Sequence, residues 1–220
     1  MKLSRRVQTI EGSRTARFIP LLEKLRREGR PVISLAIGEP SVDTPGPVIE
    51  ATKQALDRQK TRYSNIAGLN DLKIALAERF AGSQADNIVV FNGSKQALYT
   101  IFQTICDPGD QVIIPVPCWV SFGEQVKLAG AAPVFVPTRA HQLNLDAMAA
   151  AVTKSTRAIL INSPNNPTGA VYPREDLEQV ARLTIERDLI LVSDEAYDFF
   201  VYDNLPRTSL YDLEPVRDRL

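Results

Sequence analysis

Histidine and cysteine are scarce in this 220-residue chain. The one histidine, His141, sits in the polar stretch "TRAHQLNLD", so hydrolytic triads and metal sites built on histidine clusters are disfavoured. The two cysteines, Cys106 and Cys118, form no C-x-x-C pair and match no zinc spacing. They read as reduced thiols of a cytoplasmic protein. No apolar run approaches the length of a membrane span. The start, "MKLSRRVQTIEGSRTARF", is basic but lacks the apolar core of a signal peptide. An excess of one charge is missing too: 26 Lys plus Arg balance 26 Asp plus Glu, and no block of like charge offers a nucleic-acid surface. No repeat, low-complexity tract or Gly/Ser linker divides the chain.

What is present is a core-forming pattern, with 44% hydrophobic residues and 24% charged. The early part holds a basic amphipathic segment, "RFIPLLEKLRREG", and a short apolar run ending in a Gly-Glu-Pro turn, "VISLAIGEPSVDTP". Residues 47–58 and 69–80 have helical spacing, the second placing Leu72, Leu76 and Phe80 on one face. From Asn87 the pattern becomes strand, helix, strand. The runs "NIVVF", "QVIIPVP", "APVFVP", "TRAILINS" and "LILVSDEAY" alternate with the helical stretches "SKQALYTIFQTIC", "WVSFGEQVKLAG" and "PREDLEQVARLTIERD". Runs that are apolar throughout belong to strands covered on both sides. The expected fold is therefore α/β, a mostly parallel sheet with helices on both faces.

Ligands of such sheets bind beyond the carboxyl ends of the strands, so the residues there carry the functional argument. After "NIVVF" comes "NGSKQ", a glycine turn opening a helix, whose free N–H groups and positive dipole end suit a phosphate. Taken alone, an ordinary N-cap by Asn92 or Ser94 is the simpler reading. It is neither a P-loop nor a dinucleotide fingerprint. After "QVIIPVP" comes Trp119, a stacking face for a flat ring or a core residue. After "AILIN" comes "NSPNNPTG", where prolines fix the backbone and Asn165 and Asn166 offer amides, as a binding turn or a stiff Asx-capped one. After "LILVS" comes Asp194, with Glu195 and Tyr197 behind it. A carboxylate there is costly without a cation or strong donors, unless it caps the next helix.

Taken together, these ends describe a ligand with a phosphate, a flat ring and a basic ring nitrogen facing Asp194. Pyridoxal 5′-phosphate (PLP) has all three, and an Asp beside its pyridine nitrogen keeps the ring an electron sink. The stretches "GEPSVDTP", "YSNIAGLNDLKIALAERF", "NGSKQALYTIFQTICDPGDQVIIPVPCWVSF", "NSPNNPTGAVYPREDLEQVARL" and "LVSDEAY" resemble, in order, those of the class I/II aminotransferases, PLP enzymes of fold type I. Within that family the chain looks most similar to the bacterial aspartate aminotransferase-like branch.

The resemblance implies a phosphate turn at Gly93, Ser94 and Lys95, and a ring-stacking aromatic at Trp119. It implies that Asn166 bonds the ring hydroxyl near the substrate carboxylate, that Asp194 partners the pyridinium, and that Tyr197 supplies a phenol to the ring oxygen. Tyr63 resembles the tyrosine that reaches the neighbouring subunit's phosphate, which implies a homodimer, and Gly38 the backbone facing the substrate carboxylate. The resemblance also suggests that Lys95 biases such an enzyme towards acidic side chains. The connection between "ERF" and "NIVV" is shorter than is common in the family, an expected loss of surface loop only.

Family members also carry a Schiff-base lysine on the strand after the Asp strand and a distal arginine in a small C-terminal domain. This chain stops at "LPRTSLYDLEPVRDRL", where that strand is expected. The expectation is thus an N-terminal arm over 1–45 and an incomplete PLP-binding domain over 46–220, with an uncovered sheet edge, no catalytic residue of its own and no activity in isolation. The function implied is transfer of an amino group between an amino acid and a 2-oxo acid, in the cytoplasm. The alternatives are a PLP-dependent lyase or synthase of the same fold, or a non-catalytic remnant that only binds PLP.

Overall fold

The computed structural model describes residues 3–11, 18–35, 38–40 and 42–220. They form two compact units, one of Met1–Glu11 with Phe91–Leu220 and one of Gly12–Val90. Helix α1 (Arg5–Gln8) belongs to the first, and α2 (Ile19–Arg27), α3 (Gly46–Asp57) and α4 (Asn70–Ala77) to the second. The first unit continues with α5 (Ser94–Ile105), β1 (Gln111–Val116), α6 (Ser121–Leu128), β2 (Ala132–Pro137), α7 (Leu145–Ala150), β3 (Thr156–Asn162), α8 (Arg174–Glu186) and β4 (Ile190–Asp194).

The four strands pair in parallel in the order β2-β1-β3-β4, as the continuous apolar runs predict. Alternate side chains pass to opposite faces and build two separate cores. On one face Ile113, Ile159, Ile161 and Leu191 pack with Met148 of α7 and Leu177 and Val180 of α8. On the other, Val112, Ile114, Leu160 and Val192 pack with Leu98 and Phe102 of α5 and Phe122 and Val126 of α6. Each fully buried side chain of this size contributes about 1.5–3 kcal/mol on leaving water. The strands β3 and β4 end level with each other, Asn162 opposite Asp194.

The chain after β4 folds back over the α8 face. Short 3-10 turns at Leu210–Asp212 and Glu214–Arg219 place Leu210, Leu213 and Val216 in the first core. Glu195 latches this segment: its Oε1 accepts from Ser209 Oγ at 2.9 Å, Leu210 N at 3.2 Å and Ser193 Oγ at 2.8 Å. Its other oxygen lies 3.9 Å from Arg207, which also meets Asp198 at 3.0 Å. Strand β4 pairs with β3 only and so remains the edge of the described sheet.

Three expectations change. The run "NIVVF" is not a strand: a 3-10 turn covers Ala85–Asn87, and residues 88–91 lie extended without a strand partner. The bond Val90 N to Ala67 O, 2.9 Å, ties it to a loop, so its β-branched residues meet no sheet. Helix α7 occupies a stretch beginning in what reads as polar loop. The Asn144 side chain caps it by accepting from Ala147 N at 3.3 Å. In α4 the buried residues are Lys73 and Ala77, whereas Leu72 is 43% exposed and Leu76 and Phe80 are half-buried. Lys73 Nζ lies 3.8 Å from Asp86, whose side chain is fully exposed, so the buried stem brings its ammonium towards the surface. Helices α2 and α3 form where their spacing places them but bury no residue. Arg17 of the amphipathic segment, and Ala36, Ile37 and Ser41 of the apolar run and its turn, lie outside the described residues.

Candidate functional site

The carboxyl ends of β1, β3 and β4 carry the site of the first unit. Asn162 and Asp194 share a face with Leu160 and Val192, the face covered by α5 and α6. The amino end of α5 opens on Gly93, in left-handed backbone with φ 80° and ψ 165°. Glycine adopts this at little cost, and no side chain caps the helix. Neither Asn92 nor Ser94 is the cap; instead the Gln96 side chain accepts from Asn92 N at 2.9 Å. The first-turn N–H groups of α5 are thus available for an anion.

Lys95, in that first turn, holds its Nζ 4.9 Å from the centre of the Trp119 ring, a cation–π contact. Trp119 is half-buried and packs against Phe122 with the two rings nearly perpendicular and their centres 5.4 Å apart, which restrains its plane. Lys95 thus covers one face of the Trp119 ring. Cys118, beside Trp119, is half-buried and Cys106 is buried; both are free thiols, and burial pushes each up to about 11. Neither is a thiolate nucleophile at neutral pH.

The turn after β3 is built around side-chain amides and contains two cis peptide bonds, Ser163–Pro164 and Asn166–Pro167. Asn165 does not face a ligand as its position in the turn leads one to expect. It is 6% exposed, and its Oδ1 accepts from Thr168 Oγ1 at 2.8 Å and Thr168 N at 3.3 Å. Asn166 is the outward one, its Nδ2 donating to the Tyr197 hydroxyl at 3.2 Å. A residue that sequence spacing passes over is Asn162. It is 5% exposed and donates through Nδ2 to Asp194 O at 3.0 Å and Pro164 O at 3.2 Å. Its Oδ1 accepts from Asn166 N at 2.8 Å. The available signal was an amide side chain closing an apolar run, where it has to find partners.

Asp194 is 6% exposed, and its Oδ1 accepts from Ala196 N at 3.0 Å. No lysine or arginine pairs with it among the described residues. Burial is the main cause raising its pKa above the ordinary carboxylate range; the Ala196 bond opposes this and the neighbouring Glu195 charge adds to it. A carboxylate in this setting is poised to gain from a cationic N–H donor.

The structure therefore brings Lys95 to Trp119 and, through Asn162, joins Asn166, Tyr197 and Asp194 in one network. Tyr63 and Gly38 belong to the Gly12–Val90 unit, where both are exposed. Among the described residues no group of three or more His, Cys, Asp or Glu could hold a metal. None of the described helices is long and apolar enough to cross a membrane.

Comparison with known proteins bears on this arrangement. The pattern of the family described as aminotransferase class I and II matches residues 30–218. An aspartate/prephenate aminotransferase of Thermus thermophilus is 44% identical over 91% of this chain and 54% of its own length. An aspartate aminotransferase of Bacillus subtilis is 39% identical over the whole chain and 57% of its own length. Among solved structures, the aspartate aminotransferase of Thermotoga maritima superposes with a TM-score of 0.90 at 39% identity, covering 96% of this chain and 58% of that one. The chain spans about half the length of the curated relatives it matches.

Proposed function

Since the chain belongs to the class I and II aminotransferases, we propose that it supplies the PLP-holding half of an enzyme that moves an amino group between an amino acid and a 2-oxo acid. The observation that carries this reading is the buried Asp194 carboxylate, with no cation against it among the described residues, in the same network as the outward donors Asn166 and Tyr197.

The residues fit the cofactor. The uncapped amino end of α5, at Gly93, Ser94 and Lys95, would take the phosphate. Trp119 offers a ring face, and the Asn166 amide and Tyr197 hydroxyl are donors for the ring oxygen. Asp194 would face the ring nitrogen, where an N–H⁺ donor reverses the desolvation that raises its pKa and restores the carboxylate. When bound, PLP supplies an electron sink for the carbanion left as a substrate Cα proton departs. The protein's part is to keep that sink charged, through Asp194, and to hold it at a fixed tilt through Trp119 and Asn166. The names of the relatives make aspartate the first amino donor to assay. Tyr63 and Gly38 are assigned to the partner's phosphate and the substrate carboxylate in a homodimer, and the two free thiols suit the cytoplasm.

The test is titration of the chain with PLP, followed by absorbance and Trp119 fluorescence quenching. Saturable binding is expected, at least about tenfold weaker in Asp194→Ala, the loss of one charge-assisted contact. No saturable binding, or equal binding by the variant, counts against the reading.

A further inference from the structure

The turn that presents Asn166 is wrapped around a side chain, not around its own backbone. Asn162 is the last residue of β3, and its carboxamide reaches in two directions. Towards β4, Asp194 O accepts from both Ser163 N at 3.2 Å and Asn162 Nδ2 at 3.0 Å, so the amide adds a rung beyond the last ladder pair. Towards its own turn, it donates to Pro164 O at 3.2 Å and accepts from Asn166 N at 2.8 Å. Both of its N–H bonds are thus in use, in a site 5% exposed. It adjoins a small cavity, lined by Cys118, Phe122, Leu160 and Tyr172, that has no room for water while the turn is closed, so its partners in the parent chain are protein groups.

Two of the three bonds fall on main-chain atoms of residues assigned to the cofactor. Asn166 has its N–H held by Asn162, leaving its side-chain amide for Tyr197 and a ligand. Asp194 has its carbonyl held, leaving its carboxylate, bonded by Ala196 N, for a ligand. We infer that Asn162 is a positioning residue whose carboxamide couples Asn166 to Asp194, so that the donor and the carboxylate keep one spacing and shift together. This rests on the cofactor reading above for its ligand, but the coupling is a property of the chain alone. Aspartate lacks both donors and sets a second charge beside Asp194, serine is too short for the double reach, and leucine leaves Pro164 O and Asn166 N unpaired while Asp194 O keeps only Ser163 N.

The experiment is a double-mutant cycle on the whole chain with PLP as the probe. Asn162→Ser and Asn166→Ala are each expected to weaken binding about tenfold, the scale of one or two neutral hydrogen bonds. The double variant is expected to be little worse than the weaker single one, because both act through the same placement. Losses that multiply to about a hundredfold, or an Asn162→Ser chain that binds as the parent does, overturn the inference. Should Asn162→Ser not fold, hydrogen exchange in the parent decides: PLP is expected to slow the Asn166 backbone amide and the Asn162 side-chain amide together. Slowing of one alone overturns the coupling. If the parent does not bind PLP, the proposed function falls, and the coupling is then judged by carbon-13 titration of the Asp194 carboxyl. Opening the turn in Asn162→Ser admits water and is expected to lower that titration midpoint towards the ordinary carboxylate range; an unchanged midpoint overturns the inference. A parent chain whose Asn166 amide exchanges as freely as an exposed one overturns it without any variant.

Discussion

At the scale of single residues, Asp194 is a stability cost at the position proposed to face the cofactor. Burial holds its folded-state pKa above the unfolded one, so the protonated group favours folding below the unfolded value, and that contribution is lost as pH rises through the folded value. Asp194→Asn cannot ionise. It is expected to stabilise the chain by about 1 kcal/mol at neutral pH, to flatten the dependence on pH in the mildly acid range, and to weaken PLP binding. Urea unfolding at neutral and acid pH reads the first two effects. A variant less stable than the parent at neutral pH contradicts the argument. Asp194 was visible in the sequence because a charge so close behind the four apolar residues Leu189 to Val192 demands an explanation. Asn162 was not, because "NSPNNPTG" holds three asparagines and only the pairing of β3 with β4 decides which turn inward. Asn165 was misread for the same reason: Thr168, three residues on, satisfies it from within the turn.

At the scale of elements, glycine shows which turns are shaped by crowding and which by backbone direction. Gly68 has φ 113°, and a Cβ there would sit 2.8 Å from Val90 Cβ, where the loop meets the extended run. Gly93 has φ 80°, but a Cβ there meets open space. Gly68→Ala is expected to cost about 2–3 kcal/mol through clash and strain together, and Gly93→Ala about 1–2 kcal/mol through strain alone. Only Gly93→Ala is expected to weaken PLP binding as well, since it redirects the opening N–H groups of α5. Equal destabilisation by the two, measured in urea, speaks against the contrast. The elements most legible in the sequence are those whose own packing completes them, namely β1 to β4, α5, α6 and α8. "NIVVF" has the composition of a strand, yet strand formation needs a neighbour, and the described residues give it only the carbonyl of Ala67.

For the whole molecule, burial is unevenly shared. Both buried cores lie between Leu98 and Val216, while in Gly12–Val90 the buried side chains among the described residues are Lys73 and Ala77. Val48, Ile49, Leu56 and Ile66 are exposed instead. No sequence pattern announced this, because amphipathic spacing states which face of a helix seeks cover and not whether cover exists. Limited trypsin digestion is expected to cut first within residues 12–90, at exposed sites such as Arg58, Lys60 and Arg62, leaving a resistant product that retains 91–220. First cleavage within 111–194 would refute that ordering. The parallel sheet has a further practical consequence. Every strand enters from one rim and delivers its chemistry at the other, so the exposed turns at 107–109, 153–155 and 187–188 form a service side. A dye, a surface tether or an inserted peptide fixed there lies at the opposite end of the strands from Trp119, Asn166 and Asp194, a ready handle for immobilising the chain with its proposed ligand end outward.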